Sequence, residues 1–195
     1  MMWVNMRNIQ NCADGALKTL TATANTAAMR EVGMLKWLWL SLLAIILDQA
    51  SKLLVDNSMQ LYESIPLMPY FNLTYVHNTG AAFSFLSEAG GWQRWFFAVL
   101  ALVISAVLSV WLARLQKHET LLAIALSLVL GGAIGNLIDR LAYGYVIDFL
   151  DVYYNTWHWP AFNIADSAIT LGVMLMLVES LGLGSPAKSK PSDEE

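Results

Sequence analysis

Four apolar runs, at 35–55, 95–115, 120–138 and 164–183, constrain what this 195-residue chain can fold into. Each is about twenty residues long, the length a helix needs to cross the hydrocarbon core of a bilayer. Only 13% of the residues are charged, against about 25% in soluble domains, which places the chain among integral membrane proteins. The expected fold is an all-α membrane protein, with four transmembrane helices and a small extracytoplasmic segment containing β-structure. The membrane domain is expected at 34–184.

Basic residues orient the helices. Arg7, Lys18 and Arg30 precede the first run; Arg114, Lys117 and His118 lie near the loop between the second and third; Lys188 and Lys190 follow the fourth. Positive charge favours the cytoplasmic side, so both termini are expected there and the segments 56–92 and 139–163 outside. Trp37, Trp39 and Trp111 fall at inner helix ends and Trp92, Trp95, Trp157 and Trp159 at outer ones, an aromatic belt at each interface. Residues 1–33 read as a poorly ordered cytoplasmic extension, with Met29 or Met34 as alternative starts, and 185–195 as a cytoplasmic tail. A cleaved signal peptide fits less well, because the first run is too long. The single cysteine, Cys12, builds no disulfide framework. A net charge of −4 without a basic patch excludes a nucleic-acid partner.

The outer segment 56–92 is too polar to span. Residues 70–76 alternate with a strand's period of two, after Pro66 and Pro69. Asn78-Thr79-Gly80 signals a turn, and Ala81-Ala82 would allow close backbone approach. Asn136 and Arg140 share a face at the end of the third helix. Asp48 and Lys52, also four apart, share a face of the first. They read either as a local ion pair or as a polar anchor for backbone carbonyls or substrate.

Asp139, Asp148, Asp151 and Asp166 lie within 131–168, a stretch that starts in the third run and ends in the fourth. Ionisable groups at a membrane edge are costly to keep, so each is a functional candidate. Two close carboxylates cannot easily both ionise; they share a proton and act as base and acid together, as in an aspartyl peptidase. Asp139 favours a structural role, pairing with Arg140 or capping the helix. Asp148 sits among Val146, Ile147, Phe149 and Leu150, where desolvation suits an acid–base group. Asp151 lies three residues on, and spacing alone does not choose between the two. Asn163 and Ser167 flank Asp166 as candidate caps of the fourth helix.

These residues fall in blocks that resemble bacterial lipoprotein signal peptidase, the type II signal peptidase family. Asp48-Gln49-Ala50-Ser51-Lys52 is similar to the family's first block, and Asn78 to Ser84 to its second. Gly131 to Arg140 is similar to its third, and Val146 to Val152 and Phe162 to Ile169 to the two blocks that hold its catalytic aspartates. The resemblance covers nearly all of 34–183 and implies Asp148 and Asp166 as the catalytic pair. It implies Asn78, Gly80, Asn136, Arg140 and Asn163 around the substrate, and Asp48 and Lys52 as a first-helix anchor. It also implies the substrate, a prolipoprotein carrying a diacylglyceryl group on its future N-terminal cysteine, cut just before that cysteine. The site would lie at the outer face of the bacterial inner membrane, among membrane lipids, in a monomer, with no metal or cofactor.

Three other readings are weaker. A zinc peptidase needs a motif such as HExxH, which the chain lacks. A Ser–Lys dyad would need a serine within reach of Lys52, and Ser51 would point away on a helix. A small ion-coupled membrane carrier would place its acids near the midplane instead of at one interface.

Overall fold

The computed structural model describes residues 15–19, 34–80 and 90–182. Expectations about Cys12, the starts Met1 and Met29, Ala81 and Ala82, and the tail at 185–195 fall outside the described residues.

A 3-10 turn, Leu35–Trp37, leads into helix α1, Leu38–Ser58. Strands β1, Ser64–Met68, and β2, Phe71–Asn78, follow. Helices α2, Gln93–Arg114, and α3, Thr120–Ala142, come next. The chain then forms β3, Val146–Tyr154, the short β4, Trp157–His158, and α4, Ile164–Ser180. The fold is mostly helical with a small antiparallel sheet, in strand order β1-β2-β3-β4.

Helix α3 is the centre. The other three helices pack on it, while α2 and α4 make little contact with each other and leave a groove between them. The face of α1 that meets α3 buries Ser41, Ala44, Asp48, Lys52 and Val55, spaced by three and four as one helical stripe requires. Glycines on α3 permit the close approach. A Cβ on Gly131 would lie 2.8 Å from the Ser41 carbonyl oxygen of α1, and one on Gly132 would lie 2.3 Å from the Ala165 carbonyl oxygen of α4. Two apolar clusters flank the polar centre. One joins Met34, Leu108, Leu112, Leu126 and Leu130; the other joins Val55, Met59, Tyr75, Ile147 and Phe149 under the sheet.

Two expectations need correction. The sequence suggests strand structure only around 70–76, whereas β3 runs nine residues through the segment that holds Asp148. Its residues Val146 to Phe149 are all buried, so the polar–apolar alternation of a half-exposed strand is absent. The small sheet is therefore present as expected but extends beyond the one stretch that alternation reveals. The second correction concerns α4, which ends at Ser180 and not at 183. Gly182 takes φ +72 and its N–H donates to the Glu179 carbonyl at 2.9 Å, a left-handed stop. Among the described residues three helices, α2, α3 and α1 with its leading turn, are long and apolar enough to cross a membrane. Helix α4, at 17 residues, is shorter than the usual span of about 20.

Gly132→Ala is expected to destabilise the protein by about 1–3 kcal/mol, because the added methyl meets helix backbone that cannot rotate away. Thermal unfolding of the purified variant in detergent checks this; an unchanged midpoint would contradict the packing described.

Candidate active site

Asp148 is placed by β3 and Asp166 by the first turn of α4. A bulge in β2 lies beside Asp148. Leu73 pairs with Leu150 and Val76 with Asp148, so Thr74 and Tyr75 together oppose Phe149. Beyond the bulge, Val76 and Asn78 share the face of Asp148, and Asn78 reaches it diagonally. Asn163 caps α4 in a reciprocal capping box with Asp166.

Three asparagines surround the two carboxylates, and an unambiguous donor fixes each amide. The N–H of Gly80 donates to Asn78 Oδ1 at 3.0 Å, the N–H of Asp166 to Asn163 Oδ1 at 2.9 Å, and Lys52 Nζ to Asn136 Oδ1 at 2.9 Å. Each amide oxygen is thereby occupied, and each NH2 turns to an acid. Asn78 Nδ2 donates to Asp148 Oδ2 at 2.9 Å, and Asn163 Nδ2 to Asp148 Oδ1 at 2.6 Å. Asn136 Nδ2 donates to Asp166 Oδ1 at 2.8 Å, and the Asn163 N–H to Asp166 Oδ2 at 3.3 Å. One residue, Asn163, thus touches both carboxylates.

Behind this ring lies a buried ion triad. Lys52 Nζ is 2.8 Å from Asp48 Oδ2 and 2.9 Å from Asp139 Oδ2. Asp139 therefore has a structural partner, as expected, but the partner is Lys52 and not Arg140. Arg140 instead donates from Nη2 to the Gly80 carbonyl at 2.9 Å and from Nη1 to the Asn136 carbonyl at 3.2 Å, with its guanidinium 5.4 Å from the Phe97 ring centre. Asp48 and Lys52 do form an ion pair, though a fully buried one. Gln49, part of the first block but given no role by the sequence, donates to Asp139 Oδ1 at 2.8 Å and to the Gly135 carbonyl at 3.2 Å. A polar side chain within an apolar run was its available signal.

Asp151 does not join the site. A spacing of three puts it on the opposite face of β3 from Asp148, where it accepts from Asn72 Nδ2 at 2.9 Å and pairs with His158 Nδ1 at 2.9 Å. Ser51 is also apart, its hydroxyl donating to the Asp48 carbonyl at 2.8 Å. Among the described residues no group of three or more His, Cys, Asp or Glu is arranged to hold a metal.

The groove between α2 and α4 opens onto this centre as a cavity of about 740 Å³. Asn78, Asn136, Arg140 and Asp166 line its polar end, and Leu100, Ile104, Ile169 and Met174 its apolar length. Asp148, 2% exposed, is pushed up to about 7 by burial first and then by the charge of Asp166. Its hydrogen bonds from Asn78 and Asn163 and the charge of Lys52 oppose that rise.

The profile of the Signal peptidase (SPase) II family matches residues 40–182. The chain belongs to the signal peptidase II family. It is 57% identical over 150 residues to the lipoprotein signal peptidase of Alteromonas mediterranea, covering 77% of this chain and 82% of that one. It is 53% identical over 172 residues to the lipoprotein signal peptidase of Pseudomonas putida, covering 87% and 96%. A bacterial membrane enzyme solved by the in meso method at 2.3 Å resolution has the same fold, with TM-score 0.70 and 31% identity over 80% of this chain and 93% of that one. A signal peptidase II is a peptidase, and the ion-coupled carrier alternative is not supported.

For a signal peptidase II with this geometry, Asp151→Asn is expected to leave peptidase activity within about twofold, because its carboxylate sits on the opposite face of β3 from Asp148. A loss comparable to that from a change at Asp148 would contradict the separation of the two faces of β3.

Proposed function

We propose that this chain is an aspartyl endopeptidase that removes signal peptides from diacylglyceryl-modified prolipoproteins, cutting just before the lipidated cysteine. The observation that carries the proposal is the junction at Asn163, which donates to Asp148 from its side chain and to Asp166 from its backbone. Two carboxylates held by one residue, with Asp166 lining the polar end of an apolar groove, suit a shared proton. One carboxylate, ionised, takes a proton from water as its oxygen attacks the scissile carbonyl carbon. The other, protonated, donates to the carbonyl oxygen. The tetrahedral intermediate then collapses, the C–N bond breaks, and a proton passes to the leaving nitrogen of the cysteine. The pair titrates as a unit, so the two roles belong to the dyad and not to either residue alone.

Asn78, Gly80, Asn136, Arg140 and Asn163 bind or orient the peptide in this proposal, with Asp48 and Lys52 supporting them. The substrate's acyl chains lie along the groove, continuous with the bilayer tails. Four helices cross the bacterial inner membrane, with both termini in the cytoplasm and the site at the outer face. Helix α4, roughly 25 Å long, crosses where the bilayer thins to meet it. The protein acts as a monomer in this proposal.

The test is cleavage of a diacylglyceryl-modified precursor by the purified chain. Asp148→Asn and Asp166→Asn are each expected to abolish cleavage while the protein remains folded, and the unmodified precursor should stay uncut. Cleavage surviving both substitutions would overturn the aspartyl mechanism. The pH dependence gives a second check. Because Asp148 is raised to about 7, the dyad loses its proton as pH rises through that value, and kcat/KM should fall above it. Asn78→Ala removes a hydrogen bond that favours the ionised form, so the falling limb should move to higher pH. A profile flat to about pH 9 would contradict this account, since the proton would then be unnecessary.

A further inference from the structure

Asp48, Lys52 and Asp139 do not line the groove, yet each arm of their triad ends beside a catalytic residue. Asp139 Oδ2 accepts from the N–H of Ile147 at 3.1 Å, and Ile147 immediately precedes Asp148. Asp48 Oδ1 accepts from the N–H of Ala165 at 2.9 Å, and Ala165 immediately precedes Asp166. Lys52 Nζ donates to Asn136 Oδ1 at 2.9 Å, and the NH2 of Asn136 holds Asp166. All three members of the triad are at most 1% exposed.

We propose that this triad is a positioning device that sets the separation and orientation of the two catalytic carboxylates, with Lys52 as a positioning residue acting through Asn136. The inference rests on the aspartyl peptidase reading. Its physical basis is the valence of the ammonium group. A lysine has three protons, and Lys52 directs them to three acceptors, at 2.8 Å on Asp48, 2.9 Å on Asp139 and 2.9 Å on Asn136. Such a tripod has no free rotation, and a buried charge strongly resists losing a partner. Both carboxylates are then committed, and their remaining acceptor capacity holds the strand start and the helix start in place. A triad that merely joined α1 to α3 would need neither of those backbone contacts. Gln49, donating to Asp139 Oδ1 at 2.8 Å, braces the third corner.

The experiment compares three full-length proteins in lipid vesicles on a diacylglyceryl-modified precursor. They are the parent, the neutral triple variant Lys52→Gln/Asp48→Asn/Asp139→Asn, and Lys52→Arg. Neutralising the whole triad leaves no buried charge unpaired, which favours retention of the fold. The expected result is a folded variant whose kcat falls roughly a hundredfold, as for a misplacement near 1 Å, with KM within about twofold. Lys52→Arg keeps the charge, but its planar fork cannot serve three acceptors from one nitrogen. It should lose kcat in the same way, and it decides the matter if the triple variant does not fold. Folded variants with the parent's kcat, or with a loss confined to KM, would overturn the proposal while leaving the peptidase reading intact. A folded parent that does not cut the lipidated precursor would remove both.

Discussion

The ammonium group of Lys52 stands at the centre of the polar structure, with three buried acceptors and no access to water. Breaking one buried pair costs about 3–5 kcal/mol, because the remaining charge is left without compensation. That penalty makes the surrounding geometry stringent. Helix α1 must present Asp48 and Lys52 to the same point at which α3 presents Asn136 and Asp139. The approach is possible because Gly135 leaves room: a Cβ there would lie 2.6 Å from Asp48 Oδ2. The start of β3 then docks on Asp139 Oδ2, the oxygen that Lys52 also contacts, and the start of α4 on Asp48 Oδ1. The segments α1, α3, β3 and α4 meet because each completes the hydrogen bonding of one buried cluster.

The environment of the two catalytic candidates follows from a balance. Burial and mutual repulsion favour neutral carboxyls, whereas amide and backbone N–H donors favour ionised ones. Neither influence removes the other. Asp148 consequently titrates near 7, where one proton can be gained or lost at little cost. The asparagines matter here as much as the acids. Their amides are oriented by two backbone N–H groups and one ammonium, so the site is organised before a peptide arrives. Preorganised donors of this kind need no rearrangement as charge develops.

The helices are legible in the sequence because each apolar run carries its own signal. The sheet is less so. β3 is buried on both faces over 146–149, which erases the alternation by which a strand is read. Without that strand the choice between Asp148 and Asp151 stays open, since a spacing of three shares a face on a helix and divides across a strand. The family resemblance favours Asp148, and the strand geometry supplies the physical reason that Asp151 turns away. The triad is hidden for a different cause. Local spacing reveals the pair Asp48 and Lys52, but nothing local points from Lys52 to Asp139, and sequence adjacency suggests Arg140 instead. Arg140 is drawn off by the Gly80 carbonyl and the Phe97 ring, contacts that exist only once β2 and α2 are in place.

The proposed mechanism requires Asp148 and Asp166 to share one proton. Infrared difference spectroscopy of the protein in lipid, titrated from acid to alkaline pH, measures it directly through the carbonyl stretch of a protonated carboxyl group. One buried carboxyl band is expected to be lost as pH rises through about 7, and in Asp166→Asn its loss should move to lower pH, because the charge that helps hold the proton on Asp148 is gone. An unchanged midpoint in that variant, or no protonated carboxyl below about pH 7 in the parent, would contradict a shared proton.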